Sequence, residues 1–266
     1  MDASRTALVT GASSGIGRAT AEALVARGHA VIGTSRHPDS VPPLPGVEYR
    51  ALDLAEPDAV EGFAADLPRV DVLVNNAGES QSGPVEDLPM DAVERLFRLQ
   101  VFGPVRLMQL LLPGMREHGY GRIVVVGSML ASFPLAYRSS YVAAKAAIRG
   151  FADAIRLEAS PFGVWVTTVE PGSISTGISD RRSKYIDDAS PYRADFQRML
   201  TALDRNERAG IPADRVAATI VEAIEAERPR PLYAAGSNAH LVFALKRLAP
   251  GTVVERIVAR KHGLRR

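Results

Sequence analysis

The stretch Thr10-Gly11-Ala12-Ser13-Ser14-Gly15-Ile16-Gly17 lies between an apolar run at residues 6–10 and a segment with helical spacing of apolar side chains at residues 15–27. Gly28 follows that segment, at a place where helices commonly end. Glycines between a strand and a helix let the turn tighten and let backbone N–H groups approach a phosphate at the positive end of the helix. A second β-branched run completes a unit of about 30 residues, so this order predicts a βαβ unit with a dinucleotide site. The alternative is a tight turn without a ligand.

Short β-branched runs alternate with longer helical patterns along the chain. Each run is almost continuously apolar, which favours a sheet buried on both faces and therefore parallel strands joined by helical crossovers. The six clearest runs are residues 6–10, 30–34, 47–51, 70–74, 122–127 and 164–169, and a seventh is expected near residues 231–235. The sequence thus predicts an α/β protein built on a parallel sheet.

Composition excludes several classes of protein. The 266 residues are 46% hydrophobic and 23% charged, as in an ordinary globular protein, and the chain has no cysteine, which excludes disulfides, thiolate nucleophiles and cysteine-containing zinc sites. The five histidines show no metal-ligand spacing, so we expect no metal and a surface position for His29, His37, His118, His240 and His262. The formal net charge of +2 argues against a nucleic-acid-binding surface. Without a membrane-length apolar run or a signal-peptide pattern, we expect a cytoplasmic protein that does not span a membrane.

The end of the second predicted strand indicates which dinucleotide binds. A carboxylate there would bind a ribose 2′-hydroxyl, whereas an arginine would accommodate a 2′-phosphate. The sequence has Ser35-Arg36-His37, which favours NADP(H); the alternative is a solvated surface arginine. Asp53 follows the third strand and can accept a hydrogen bond from an adenine amino group, and Asn75-Asn76-Ala77-Gly78 ends the fourth. These positions lie where open α/β sheets bind ligands, although each residue could instead cap a helix or shape a turn.

A phenol and an ammonium group are placed one helical turn apart in Tyr141-Val142-Ala143-Ala144-Lys145. This spacing alone is common, but Ser128 lies upstream at the end of another predicted strand, where its hydroxyl can hold a substrate oxygen beside the tyrosine. An ordinary phenol has a pKa of about 10. A nearby cation lowers that pKa. We therefore expect Lys145 to make Tyr141 a more effective proton donor and acceptor.

Six elements in this order resemble the short-chain dehydrogenase/reductase family: TGASSGIG from Thr10, Asp53, NNAG from Asn75, Ser128, YVAAK from Tyr141, and PGSIST from Pro171. The resemblance implies a single Rossmann-like, doubly wound domain over residues 1–236, with about seven parallel strands and helices on both faces. It also implies that Tyr141 is the general acid/base, that Ser128 positions the carbonyl, and that Lys145 also binds the nicotinamide ribose. Ile174 and Thr176 would fix the carboxamide. The full set expected to bind NADP(H) is Gly11, Ser13, Ser14, Gly15, Ile16, Gly17, Arg36, Asp53, Leu54, Asn75, Ala77, Gly78, Tyr141, Lys145, Pro171, Gly172, Ile174 and Thr176.

One position departs from the family pattern. Many members have Asn as a fourth catalytic residue before Val-Phe-Gly, where it supports a water in a proton relay, and here that position is Gln100. Glutamine keeps the amide and adds a methylene, so we expect activity to survive and Gln100→Asn to leave kcat similar or higher. Two functions therefore stay open. The first is an NADP(H)-dependent oxidoreductase acting on ketones, aldehydes or secondary alcohols; the alternative is a dinucleotide-binding regulatory or partner-binding protein with little catalysis.

Apolar side chains after Ser128 indicate a hydrophobic substrate. We expect the substrate cleft to be lined by Met129, Leu130, Phe133 and Leu135, with Ile178 opposite; the alternative for these residues is core packing. The segment at residues 179–188 is highly charged and lies where the family has a mobile lid, which we place at about residues 177–205. The cleft therefore suits a hydrophobic carbonyl compound with a polar end.

Two further regions indicate interaction surfaces. The helical patterns at residues 96–112 and 141–157 are apolar almost all round, so they pack within the protein or form the interface of a homodimer or homotetramer. Residues 237–266 read as a basic, amphipathic helical extension, with seven basic residues and one acidic residue after position 245. We expect this extension to pack on the body or on a second subunit rather than to lie on an anionic membrane. Together with Glu170-Pro171-Gly172 and Val101-Phe102-Gly103-Pro104, this long extension makes the chain similar to the hydroxysteroid- and retinol-dehydrogenase-like branch of the family.

Overall fold

A seven-stranded parallel sheet forms the centre of the structure, a computed structural model that describes residues 4–264. Its strands are β1 (Thr6–Val9), β2 (Ala30–Ser35), β3 (Val47–Ala51), β4 (Val72–Asn75), β5 (Gly121–Val126), β6 (Val164–Pro171) and β7 (Leu232–Ala235). Across the sheet their order is β3-β2-β1-β4-β5-β6-β7, and every neighbouring pair is parallel. The direction of winding reverses between β1 and β4, which opens a crevice at the carboxyl ends of these two strands.

Helices cover both faces of the sheet and continue beyond its last strand. They are α1 (Gly15–Val25), α2 (Pro57–Ala65), α3 (Met90–Phe97), α4 (Gly103–Glu117), α5 (Ser139–Ala159), α6 (Arg193–Arg208), α7 (Ala213–Glu225), α8 (Ala239–Leu248) and α9 (Gly251–Lys261). Buried side chains of α1 and α7 pack on one face, and those of α2, α4 and α5 pack on the other. The predicted α/β class, with helices on both faces of a doubly wound parallel sheet, is confirmed.

Alternation along the central strands explains their continuous apolar character. In β4, Val72 and Val74 belong to the core on the α1 side, whereas Leu73 between them belongs to the core on the α5 side. β5 repeats this arrangement, with Val124 facing α1 and α7 and Ile123 facing the opposite layer. Both sides of each central strand are therefore buried, as the sequence predicted.

The helical pattern predicted over residues 96–112 is interrupted in the structure. α3 ends at Phe97, a π-helical turn spans Arg98–Phe102, and α4 begins at Gly103. A Cβ at Gly103 would clash with the carbonyl of Leu54, so glycine allows the start of α4 to approach the loop after β3. Pro104 lies in the first turn of α4, where its fixed φ is compatible with the helix.

Exposed apolar side chains lie on α5 and on the π-helical turn before α4. Phe102, the last residue of that turn, is 58% exposed, and on α5 Phe151 is 43% and Leu157 is 76% exposed. The two apolar patterns are therefore not enclosed on every side within one chain. Of the two alternatives for these helices, the exposed side chains favour the subunit interface.

The helices α8 and α9 form the region predicted as a basic extension. One side packs on the body, with Val242, Phe243 and Val258 against Met129 and Phe133. The other side is exposed and includes Leu241, Leu245, Leu248, Val253 and Ile257. Residues 1–3 and 265–266 of the predicted domain and extension, and the side chain of His240, lie outside the described part of the chain. Within residues 4–264, no helix has both the length and the apolar character needed to span a bilayer.

Candidate active site

Thr10 and Asn76 hold the glycine turn after β1 in shape. The Thr10 hydroxyl accepts hydrogen bonds from the backbone N–H groups of Asn76 and Ala77, each at 3.0 Å, and the Asn76 side chain donates to the Thr10 carbonyl at 2.9 Å. A Cβ at Gly17 would clash with the Gly11 carbonyl and the Asn76 amide. Gly11 has a φ of +66°, which favours glycine. These two glycines therefore let α1 begin directly over the turn.

The first turn of α1 is suited to an anion. It contains no acidic residue, and Ser14, which precedes it, makes no capping hydrogen bond with its side chain. The first backbone N–H groups of a helix lack intrahelical partners and carry the positive end of the helix dipole. This end of α1 fits a phosphate group.

A cavity of about 560 Å³ runs from this turn along the carboxyl ends of the strands. It brings together most of the predicted cofactor residues: Gly11, Ser13, Ser14, Gly15, Ile16, Arg36, Asp53, Leu54, Ala77, Gly78, Tyr141, Lys145, Pro171, Gly172, Ile174 and Thr176. Gly17 and Asn75 are not among the described residues that line it. Gly17 acts instead in the packing of α1 on the turn.

Asn75 was predicted to bind the cofactor but does not line the cavity. It is still paired in the sheet with Val125, and its side chain is buried with neither polar atom hydrogen-bonded among the described residues. The chain leaves the sheet at Asn76, which lines the cavity and shapes the glycine turn. In this motif the structure therefore brings the second asparagine, not the first, to the cavity.

The edge of the cavity at β2 and β3 carries the two predicted polar residues. Arg36 is exposed and, among residues 4–264, has neither a hydrogen-bond nor an ion-pair partner. One Asp53 carboxylate oxygen accepts a hydrogen bond from the backbone N–H of Ala55 at 2.9 Å. Arg36 thus offers a free guanidinium group, and Asp53 is oriented by the turn that follows it.

Ser128, Tyr141 and Lys145 converge at the other part of the cavity. Ser128 follows β5, its hydroxyl accepts from the backbone N–H of Leu130 at 3.1 Å, and it is near enough to the Tyr141 phenol to lower that group's pKa. The Lys145 ammonium is buried and donates to the carbonyl of Val126 at 2.9 Å. The three side chains predicted to carry the chemistry are therefore neighbours.

Burial changes the electrostatics that the spacing of Tyr141 and Lys145 predicted. Burial raises the pKa of Tyr141, and the opposing influences come first from the Arg138 guanidinium and then from the Ser128 hydroxyl. Burial also lowers the pKa of Lys145 to about 8. The expectation that Lys145 lowers the phenol pKa is thus not met here, because desolvation is the larger effect and the cations that oppose it are Arg138 and, more weakly, Arg182.

Behind the tyrosine lies a buried cluster of charges that the sequence did not indicate. Arg182, from the segment predicted as a lid, has a fully buried side chain that binds Asp204 at 2.5 Å and Glu207 at 2.6 Å, both on α6. Its Nε also donates to the Ser80 hydroxyl at 3.1 Å. Burial raises the pKa of Glu207, which lines the cavity. Part of the charged segment is therefore anchored beneath the site rather than exposed.

Gln100 lies within the π-helical turn and lines the cavity. Its amide nitrogen donates to the carbonyl of Glu79 at 2.7 Å, while its buried amide oxygen has no partner among the described residues. A buried acceptor of this kind is ordinarily satisfied by water. The hydrogen bond to Glu79 thus orients the Gln100 amide, and its Oε1 remains available as an acceptor.

The predicted apolar wall of the cleft is only partly met. Met129, Leu130, Phe133 and Ile178 line the cavity. Leu135 instead packs in a separate buried cluster with residues of α6, because the chain has turned away from the cleft by that position. Described residues of the lining that the sequence analysis missed include Arg138, Leu203, Val242, Ile257, Val258 and His262.

Residues distant in sequence complete the cavity wall. His262 was expected at the surface but is buried, which lowers its pKa, and its Nδ1 lies 2.8 Å from the carbonyl of Val258. On the other side, Arg181 of the predicted lid segment donates to the Ser14 hydroxyl at 3.2 Å. The predicted lid and the C-terminal helices thus both border the cavity.

The family pattern of short chain dehydrogenases matches residues 5–186. A 3-ketodihydrosphingosine reductase of Bacteroides thetaiotaomicron is 32% identical over 243 residues, which cover 89% of this chain and 90% of that protein. A short-chain dehydrogenase structure from Streptomyces avermitilis has a TM-score of 0.83 and 34% identity and covers 98% of both chains. Another, from Sphingobium yanoikuyae in complex with NADPH, has a TM-score of 0.72 and 26% identity and covers 94% of both. The chain therefore belongs to the short-chain dehydrogenase/reductase family of oxidoreductases.

Proposed function

We propose that this protein is an NADP(H)-dependent oxidoreductase that interconverts a hydrophobic ketone or aldehyde and the corresponding alcohol, with Tyr141 as general acid/base. The observation that carries the proposal is the single cavity that joins the glycine turn to Ser128, Tyr141 and Lys145. A dinucleotide lying along this cavity would have its phosphates at the glycine turn and its nicotinamide ring near Ser128, Tyr141 and Lys145.

The residues present fit NADP(H). The glycine turn and the first turn of α1 would hold the pyrophosphate, and the free guanidinium of Arg36 would bind the 2′-phosphate. Asp53 would bind the adenine, and Ile174 and Thr176 the carboxamide. The related Sphingobium structure contains NADPH, which supports this cofactor. When bound, NADP(H) supplies or accepts the hydride of the reaction.

The chain's own residues manage the proton. In reduction, Ser128 would donate a hydrogen bond to the substrate carbonyl oxygen, and the Tyr141 phenol would transfer its proton to the alkoxide as it forms. In oxidation the tyrosine oxygen would take that proton back. General acid–base catalysis of this kind contributes roughly 10²- to 10⁴-fold in rate. The ammonium of Lys145, oriented by the carbonyl of Val126, would bind the nicotinamide ribose.

Gln100 would support the proton relay. Its unpartnered amide oxygen is a suitable acceptor for a relay water, and the bond to Glu79 orients the amide. The alternative function, a dinucleotide-binding regulator with little catalysis, is not favoured because Ser128, Tyr141 and Lys145 stand together in the cavity.

The cavity wall supports a substrate with a hydrophobic body and a polar end. Phe133, Val242 and Val258 provide an apolar side formed by the chain after β5 and by the two C-terminal helices. Glu207 and His262 provide polar groups. The Bacteroides relative is named for the reduction of a ketone, 3-ketodihydrosphingosine, which supports ketones of this general class as candidates.

We further propose that the protein is a homodimer or homotetramer. The exposed Phe102, Phe151 and Leu157 make apolar surfaces on α5 and on the turn before α4 that a second subunit would cover. An interface through these surfaces would also brace the helix that carries Tyr141 and Lys145.

A ketone and aldehyde panel tests the proposed activity. NADPH consumption is followed by its absorbance for short-chain, long-chain and aromatic carbonyl compounds, with Tyr141→Phe as the matched control. We expect turnover of at least one hydrophobic ketone that the control loses. NADPH binding without turnover of any compound in either direction would favour the regulatory alternative.

A further inference from the structure

Arg138 occupies an unusual position beside Tyr141. It directly precedes α5, so its side chain and that of Tyr141 lie about one helical turn apart. Its guanidinium carbon stands 4.3 Å from the centroid of the Tyr141 ring, and the residue is only 3% exposed. A desolvated cation over an aromatic face is attracted to the electron-rich ring. Arg138 is thus held against the residue proposed to move the proton.

Arg138 forms no direct ion pair with any carboxylate of residues 4–264. Its Nη1 donates to the neutral hydroxyls of Ser80 at 2.8 Å and Ser82 at 3.0 Å, and its buried Nε has no partner among the described residues. The nearby carboxylates of Asp204 and Glu207 bind Arg182 instead. These carboxylates still favour the charged form of Arg138, but they make no direct ion pair with it, so an anion that forms beside the guanidinium would stabilise it further.

The Tyr141 phenolate is the anion that the surroundings offer. The charged groups that face Tyr141 are Arg138, Lys145, Arg182 and Glu207, and the hydroxyl of Ser128 is a neutral neighbour. The Lys145 ammonium is 5.8 Å from the ring centroid and is directed to the carbonyl of Val126. Arg182 forms direct ion pairs with Asp204 and Glu207, whereas the same two carboxylates act on Arg138 without a direct ion pair. Arg138 is therefore the cation both closest to the ring and without a carboxylate of its own.

We propose that Arg138 is a positioning residue that fixes the Tyr141 phenol and stabilises its phenolate form, sharing the role that the family resemblance gives to Lys145. The inference rests on the proposed function, because it acts through Tyr141 as general acid/base. Arg138 keeps its charge over the working range, since burial lowers its pKa only to about 10. The hydroxyls of Ser80 and Ser82 set the orientation of the guanidinium group.

The test is the pH profile of kcat/KM for alcohol oxidation with NADP⁺, in which the phenolate is the base. Arg138→Met removes the charge, so we expect the acid limb of the profile to move about 1 to 2 pH units in the alkaline direction. At pH values below that limb, kcat/KM of the variant should be about tenfold to a hundredfold lower than that of the wild type. Arg138→Lys keeps the charge and should return the limb to within about half a unit of the wild-type position.

A matched control is available within α5, the helix that Arg138 precedes. Arg156 of α5 also stacks over an aromatic ring, that of Trp165 at 4.7 Å, and donates to the backbone carbonyl of Val166 at 2.8 Å, but it does not line the cavity. Arg156→Met should reduce thermal stability without moving the acid limb. This control separates loss of a stacked arginine from loss of the charge beside Tyr141.

Each outcome decides the inference. An acid limb that is unmoved in folded Arg138→Met overturns it, as does a rise in KM with an unmoved limb, which would mean that Arg138 binds a substrate anion. If Arg138→Met does not fold, Ser82→Ala replaces it, because that change loosens the guanidinium group. An acid limb moved to higher pH then supports the inference, and an unmoved limb overturns it.

Tyr141→Phe is measured in parallel. Full activity in that variant would reject the proposed function itself, whereas an inactive Tyr141→Phe with an unmoved Arg138→Met profile rejects only this inference.

Discussion

Replacing Arg182 by methionine removes the cation from a buried ion-pair cluster beneath the site. The arginine side chain is 0% exposed and binds Asp204 at 2.5 Å and Glu207 at 2.6 Å. Methionine fills part of the volume but leaves both carboxylates of α6 without their cation, and it also removes a donor to Ser80. We expect a marked loss of stability, because an unpaired buried charge retains its desolvation cost.

The size of the loss follows from known costs. Breaking a buried pair by removing one partner destabilises a protein by about 3 to 5 kcal/mol. Unfolding entropies of about 2.1 cal/mol/K per residue give about 0.56 kcal/mol/K for the 266 residues, so the melting temperature should fall by roughly 5 to 9 °C. Thermal unfolding followed by circular dichroism measures this change directly.

The defect should depend on pH. Burial raises the pKa of Glu207, and the neighbouring Arg182 is the largest influence that opposes this shift. In the variant the folded-state pKa therefore rises further above the unfolded value, so ionisation of Glu207 costs stability at higher pH. Protonation removes that cost as the pH falls through the raised pKa. The difference in melting temperature between wild type and variant should be larger near neutral pH than at about pH 5.

Arg181 offers a matched control in the neighbouring position. It is exposed and donates one hydrogen bond to Ser14 at 3.2 Å, so Arg181→Met should change the free energy of unfolding by no more than about 0.5 kcal/mol. The reasoning is refuted if Arg182→Met melts together with Arg181→Met and the wild type, or if its deficit grows at acidic pH.

Three further predictions follow from the site and the surface. Arg36→Asp should lower the ratio of kcat/KM for NADP to that for NAD by about tenfold to a hundredfold, since a charge-assisted hydrogen bond contributes about 1.5 to 3 kcal/mol; an unchanged ratio rejects the assignment. Gly17→Ala should weaken NADPH binding at least about tenfold by forcing α1 away from the turn. Titration of protein fluorescence with NADPH measures this, and an unaltered Kd contradicts the packing role of Gly17. Phe151→Arg should shift the mass measured by light scattering toward the monomer, because it places a charge on the apolar surface of α5. A wild-type mass for that variant would exclude this surface from the interface.

Local sequence patterns predicted the sheet well and the helices less exactly. Strands such as β5 are apolar on both faces, so their residue types alone identify them, and the predicted run at residues 122–127 overlaps the observed Gly121–Val126. The π-helical turn at Arg98–Phe102 and the close approach of Gly103 to Leu54 beside it were not predicted from apolar spacing. Regular periodicity records neither a local change of helix type nor a contact between residues far apart in sequence.

The candidate site shows the same division. Motif residues such as Ser128 and Tyr141 were found because their spacing is local to one strand end and one helix. Arg138 and Glu207 were missed, because their importance depends on burial and on the fold bringing the segment before α5 and the end of α6 to one cavity. The raised pKa of Tyr141 has the same origin, since desolvation depends on the complete three-dimensional surroundings and not on the distance to Lys145 along the helix.

Removal of one oxygen atom tests the proposed chemistry most directly. Tyr141→Phe keeps the ring beneath Arg138 and removes the hydroxyl that exchanges the proton. With NADPH and the best ketone of the panel, we expect kcat to fall at least about a hundredfold in a variant whose thermal unfolding shows a folded chain. Turnover of that ketone at the wild-type rate would contradict the account.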